Sequence, residues 1–138
     1  MNAVDTNVLI YRLDQLEPIK QAQARELLRI LIFDPTPTVL LWQVLGEMLR
    51  QLRYWQDQIT RAAVVRYTTA FRRMFPVVMP TENVADVALE LSGKYSLSHW
   101  DSMLLGACQV AGVTALYTED MGAPRTIASI QLINPFVP

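Results

Sequence analysis

The 138-residue sequence predicts an α/β fold: a three-layer α/β/α sandwich with a central, mostly parallel sheet. Three observations carry that expectation. Short apolar runs bounded by turn residues alternate with longer stretches of helical periodicity. Hydrophobic residues make up 51% of the chain, enough for a sheet buried on both faces. The length fits one domain, residues 1–138, and no repeat, low-complexity tract or linker divides it.

Each element has its own signal. Residues 1–4 read as a strand ending at Asp5, where the chain turns into a short helix carrying Val8, Leu9 and Ile10. Pro18 suits the first turn of a helix, and Ile19, Ala22, Leu27, Leu28, Leu31 and Ile32 give that helix an apolar face as far as Phe33. Residues 34–37, with two prolines, form a turn. Residues 38–41 are a buried strand, followed by a helix from about Gln43 through Trp55. Thr60 is an N-cap for a helix running to Met74, and residues 76–80 make a short strand between prolines. Thr81 caps a helix ending at Gly93, with Val84, Val87, Ala88 and Leu91 on one face. Ser98 opens the next helix, which stops at Gly112. Residues 114–118 and 129–133 are the last two strands.

Composition narrows the function classes. A lone cysteine, Cys108, cannot form an internal disulfide, and no Cys/His cluster supports a zinc or thiolate metal site. No basic leader precedes Asp5 and no apolar run reaches the roughly 20 residues needed to span a bilayer, so a cytoplasmic protein without a membrane segment is expected. Net charge is −1, but it is unevenly spread. Residues 48–80 hold six arginines (Arg50, Arg53, Arg61, Arg66, Arg72, Arg73) against Asp57 alone, +5, while the remainder is −6. Such separation predicts a basic surface beside an acidic one.

In parallel α/β sheets ligands bind beyond the carboxyl ends of the strands. Asp5 ends the first strand, and Glu119 and Asp120 follow the strand at 114–118. Glu47 and Asp101 lie near the starts of helices. Taken singly, each acid also has a structural reading. Asp5 can cap the turn after it, Asp101 can form a capping box with Ser98, Glu47 can sit on a solvated helix face, and Glu119-Asp120 can be a polar turn. Taken together they fall at one edge of the sheet, where gathered carboxylates cost several kcal/mol unless protons or cations neutralise them. Mg²⁺, which prefers oxygen ligands and keeps waters, does so.

Four motifs in order give a family resemblance. The segment Val4-Asp5-Thr6-Asn7-Val8-Leu9-Ile10-Tyr11 resembles the opening motif of PIN-domain ribonucleases. Gln43-Val44-Leu45-Gly46-Glu47, His99-Trp100-Asp101-Ser102-Met103-Leu104 and Leu116-Tyr117-Thr118-Glu119-Asp120-Met121 resemble the second, third and fourth, and Ile133-Asn134-Pro135-Phe136 the ending. Size and bare architecture look most like the toxin half of VapBC-type toxin–antitoxin pairs. The resemblance implies that Asp5, Glu47, Asp101 and Asp120 form a catalytic site holding Mg²⁺ or Mn²⁺, with Asn7 and Thr118 orienting carboxylates or water. Glu119 would support them or point to solvent. It further implies hydrolysis of RNA phosphodiesters, a homodimer, and a cognate antitoxin protein as partner. Trp42 and Gly46 depart from the family pattern, which favours polar residues there. His99 is expected to cap or pack.

An acidic centre repels phosphate, so a basic approach surface is needed. Arg50, Arg53 and Arg61, with Tyr54, Trp55 and Tyr67 among them, supply charge and rings for an unpaired RNA strand. Two other classes compete. A receiver- or dehalogenase-type phosphotransfer protein also gathers acids at a sheet edge, but no second aspartate stands two positions after Asp5 and no lysine follows the late strands. A non-catalytic binding domain of the same fold would not need all four acids.

Overall fold

The computed structural model describes residues 1–55 and 57–138. The elements follow in the order β1 (Asn2–Val4), α1 (Thr6–Leu13), α2 (Pro18–Phe33), β2 (Thr38–Leu41), α3 (Trp42–Arg53), α4 (Arg61–Met74), β3 (Val77–Val78), α5 (Asn83–Lys94), α6 (His99–Ala111), β4 (Ala115–Tyr117), β5 (Arg125–Ile127) and β6 (Ile130–Ile133). The strands form one sheet in the order β3-β2-β1-β4-β6-β5. Every pairing is parallel except β5 with β6. Helices flank the sheet in a three-layer α/β/α sandwich.

The central strands are short and apolar because both faces are covered. All residues of β1 and β2 are buried, and Leu116 at the centre of β4 is fully enclosed. Leu9 of α1, Met48 of α3 and Leu105 of α6 complete the core around them. Local chemistry sets the helix ends. Thr60 and Ser98 accept hydrogen bonds at the starts of α4 and α6, and Gly112 takes φ 81° to end α6.

Three sequence expectations are corrected. Thr81 does not cap α5: the N-cap is Glu82, without a side-chain hydrogen bond. The third strand is two residues, 77–78, shorter than the expected 76–80; Pro76 has no amide to donate to the ladder and joins it only through its carbonyl, which accepts from the Leu40 amide at 2.8 Å. Between the expected strands at 114–118 and 129–133 lies a further one, β5, an antiparallel edge strand paired to β6 through Arg125–Leu132 and Ile127–Ile130.

Topology fixes where a ligand can enter. From β1 the chain moves outward through β2 to β3, then returns to the other side of β1 as β4. The direction of winding reverses between β1 and β4, which opens a crevice at their carboxyl ends. Val4 pairs with Tyr117, and the Asp5 amide donates to the Tyr117 carbonyl at 2.9 Å. Asp5 and Thr118 therefore leave the sheet side by side at that crevice.

Candidate active site

Asp5 is the N-cap of α1, in extended conformation, and only 5% exposed. Its Oδ1 accepts from the Thr6 amide at 2.7 Å and its Oδ2 from the Thr118 hydroxyl at 2.8 Å. The Thr118 hydroxyl, wholly buried, is the hub of this edge. Besides donating to Asp5 it accepts from Asn7 Nδ2 (3.3 Å) and from the Asp120 amide (3.0 Å). Asn7 Nδ2 also donates to Asp120 Oδ2 at 3.1 Å. One threonine and one asparagine thus tie the end of β1 to the end of β4, while Asn7 Oδ1 is buried without a partner among the described residues.

Glu47 reaches the same edge from α3. Its Oε2 accepts from the Thr6 hydroxyl (3.0 Å), and its Oε1 from Gln43 Nε2 (3.0 Å), one helical turn earlier. The same Gln43 amide donates to the Trp100 carbonyl at 3.0 Å, linking α3 to the first turn of α6. Burial pushes the Asp5 carboxyl up to about 6. The hydrogen bonds from Thr118 and Thr6 oppose that rise, and the charges of Asp120 and Glu47 add to it. Asp120 and Glu47 are therefore each close enough to Asp5 for their charges to act on it.

A cavity of about 1050 Å³ opens over this cluster. Among the described residues its walls include Asp5, Asn7, Glu47, Arg50, Glu119 and Asp120. Arg53, Arg61 and Asp101 are not in those walls. Asp101 stands in the first turn of α6, where its amide donates to the Ser98 hydroxyl at 3.2 Å, half of a capping box. It lies next to Trp100, which does line the cavity. No three His, Cys, Asp or Glu side chains among the described residues form a ready-made cage for a metal ion.

Glu119 does not point freely to solvent. It accepts from the Tyr11 hydroxyl at 2.7 Å and pairs with Lys20 at 3.0 Å. Lys20 also lies over the Tyr11 ring, 4.5 Å from its centroid, and Tyr11 packs edge-on against Phe136 at 5.0 Å. The hydrogen bond to Glu119, then that to Tyr11, holds the Lys20 ammonium above its ordinary value. The loop after β4 is thereby pinned to α1, α2 and the chain end, which leaves Asp120 as the carboxylate facing Asn7. Sequence reasoning assigned no role to Gln43, Lys20 or Tyr11. Gln43 had a signal, an amide four residues before Glu47 on one helix face; Lys20, 99 positions from Glu119, had none.

Among the described residues no helix is long and apolar enough to cross a membrane. A search of curated proteins finds no match. Solved structures share the fold. A chain of a toxin–antitoxin complex from Klebsiella pneumoniae is 20% identical, with 98% of each chain covered and a TM-score of 0.67. The Mycobacterium tuberculosis toxin VapC20, which cleaves the sarcin–ricin loop, is 17% identical over 95% of this chain and 99% of its own, with a TM-score of 0.66. A chain of VapBC2 from Rickettsia felis, bound to a promoter DNA fragment, is 12% identical over 95% and 96%, with a TM-score of 0.64. The model of the PIN domain matches residues 3–127, and the chain belongs to that family.

Proposed function

We propose that this protein is a ribonuclease that hydrolyses RNA phosphodiesters with Mg²⁺ or Mn²⁺ and acts as the toxin of a toxin–antitoxin pair. PIN domains are generally nucleases. The observation that carries the reading is the convergence of Asp120 and Glu47 on Asp5, a buried carboxyl at the crevice between β1 and β4. Their oxygens are the donor type a hard divalent cation takes, and the unpartnered Asn7 Oδ1 adds another. Mg²⁺ is commonly held by one or two carboxylates plus waters, so a closed protein cage is not required. Asp5, Asp120 and Glu47 would hold the ion, with Asp101 at the start of α6 as the fourth acid. A bound ion supplies neutralisation of the scissile phosphate and activation of the attacking water.

The chain's own groups do the rest. Thr118 and Asn7 keep the carboxylates of Asp5 and Asp120 in fixed orientations, and Gln43 and Thr6 do so for Glu47. Arg50 in the cavity wall counters the repulsion an acidic site exerts on phosphate. Tyr54, 74% exposed, offers a ring for an unpaired base. A partner antitoxin is supported by the Klebsiella and Rickettsia complexes that share the fold. Homodimer formation and a cytoplasmic site of action rest on the family resemblance. The test is cleavage of a single-stranded RNA by purified protein with Mg²⁺, with EDTA, and with the Asp5→Asn variant. Cleavage only by the wild type with metal is expected; equal cleavage by Asp5→Asn would remove the mechanism.

A further inference from the structure

A second cleft, of about 370 Å³, adjoins the acidic cavity. Its walls come from the end of β2, β3 and the segment after it, and α6: Leu41, Val78, Met79, Met103 and Val110 among others, with no charged side chain among the described residues. Trp42, Gln43 and Trp100 line both this cleft and the acidic cavity, so the two are continuous. Trp42 opens α3 and Trp100 lies in the first turn of α6; they are 49% and 61% exposed. Neither is needed to fill the core. Trp100 is held in place on both its backbone and its ring. Gln43 binds Glu47 and the Trp100 carbonyl at once, and the Trp100 ring packs edge-on against His99, centroids 4.7 Å apart.

Resting on the nuclease reading above, we infer that this cleft is a nucleobase subsite: an unpaired base next to the scissile phosphate leaves the acidic cavity and stacks on Trp42 and Trp100. The cleft falls in the size range of small-ligand sites. Its apolar walls exclude phosphate and accept a flat, uncharged ring, whereas the acidic cavity offers the reverse. Stacking on an aromatic ring is tolerant of sequence because every base has a π face. The Gln43 amide already has two acceptors, so hydrogen-bond reading of base edges is weak there. The subsite therefore anchors a base at a fixed step from the cut, with larger purines held better than pyrimidines.

The test measures binding separately from cleavage. A fluorescein-labelled 12-nucleotide single-stranded RNA is titrated in EDTA with wild type, Trp42→Ala, Trp42→Phe and Trp100→Ala. The same RNA carrying one abasic nucleotide, moved along the strand, is titrated in parallel. Wild type should lose about ten-fold or more in affinity for one abasic position. Trp42→Ala and Trp100→Ala should lose as much on intact RNA and be indifferent to that abasic position, and Trp42→Phe should recover most of the loss. Wild type that binds and cleaves RNA but ignores abasic positions overturns the subsite and leaves the nuclease reading standing. So do tryptophan variants that change only the molar mass in light scattering, which would assign the face to a second copy of the chain. Absence of RNA binding and cleavage by wild type overturns both.

Discussion

Replacing Asp5 with asparagine should stabilise the metal-free protein at neutral pH while removing its activity. In the folded chain the Asp5 carboxyl sits at about 6, against an ordinary 3.8. That gap is worth about 3 kcal/mol at about 1.4 kcal/mol per pH unit. Because the folded value is raised, the contribution is fully present below pH 3.8 and is lost as pH rises through about 6. Asparagine never ionises and escapes this loss. It keeps an oxygen for the Thr6 amide but presents a donor toward Thr118, forfeiting one hydrogen bond worth about 1 kcal/mol. The net expectation in EDTA at pH 7.5 is a variant more stable by about 2 kcal/mol, a gain of about 7 °C in Tm. At pH 4 the order reverses, and the variant is weaker by about 1 kcal/mol. Thermal unfolding followed by circular dichroism at the two pH values reads both. Mg²⁺ should then raise the wild-type Tm at pH 7.5 and leave the variant unmoved. A variant less stable than wild type by the same amount at both pH values would refute the claim that Asp5 is held as a desolvated, crowded anion.

Other perturbations probe separate links. Thr118→Val removes the hydroxyl shared by Asp5, Asn7 and the Asp120 amide, and should cost about 2–3 kcal/mol in denaturant unfolding with at least a ten-fold fall in RNA cleavage; an unchanged midpoint would contradict its place as hub. Gly106→Ala would set a Cβ 3.0 Å from the Val84 carbonyl and 3.2 Å from the Ala88 amide, forcing α5 and α6 apart at about 1–3 kcal/mol; a neutral melt would show that the helices yield freely. Arg50→Glu, in the cavity wall, should weaken RNA binding and lower the salt slope by about one, more than Arg61→Glu outside it. Equal slopes would make Arg50 an ordinary surface charge.

Much of this architecture is legible in the sequence because it rests on local signals. Strands at 38–41 and around Leu116 are apolar runs too short for helices, and Ser98, Thr60 and Gly112 mark helix ends by their own chemistry. What escaped depends on long-range contact. β5 is three residues with a polar start, and only pairing with β6 makes it a strand. Thr81 has the right side chain for a cap, yet the helix begins two residues later. At the site, the positions of Asp5 and Asp120 follow from strand ends, which period and turn residues reveal. The bonds of Glu119 to Lys20 and Tyr11, and the bridge from Gln43 to Trp100, join elements 57 to 108 residues apart. Whether Asp101 lines the cavity, as its neighbour Trp100 does, depends on how α6 packs, which periodicity does not encode.

If Asp5, Glu47 and Asp120 gather at the β1–β4 crevice to hold a divalent ion, Mn²⁺-soaked crystals of the wild-type protein should show an anomalous peak within reach of those carboxylates. The peak should be absent from Asp5→Asn crystals treated identically. Soaked crystals of protein shown to cleave RNA, with no peak in that crevice or with a peak on residues outside it, would rule the crevice out as the metal site.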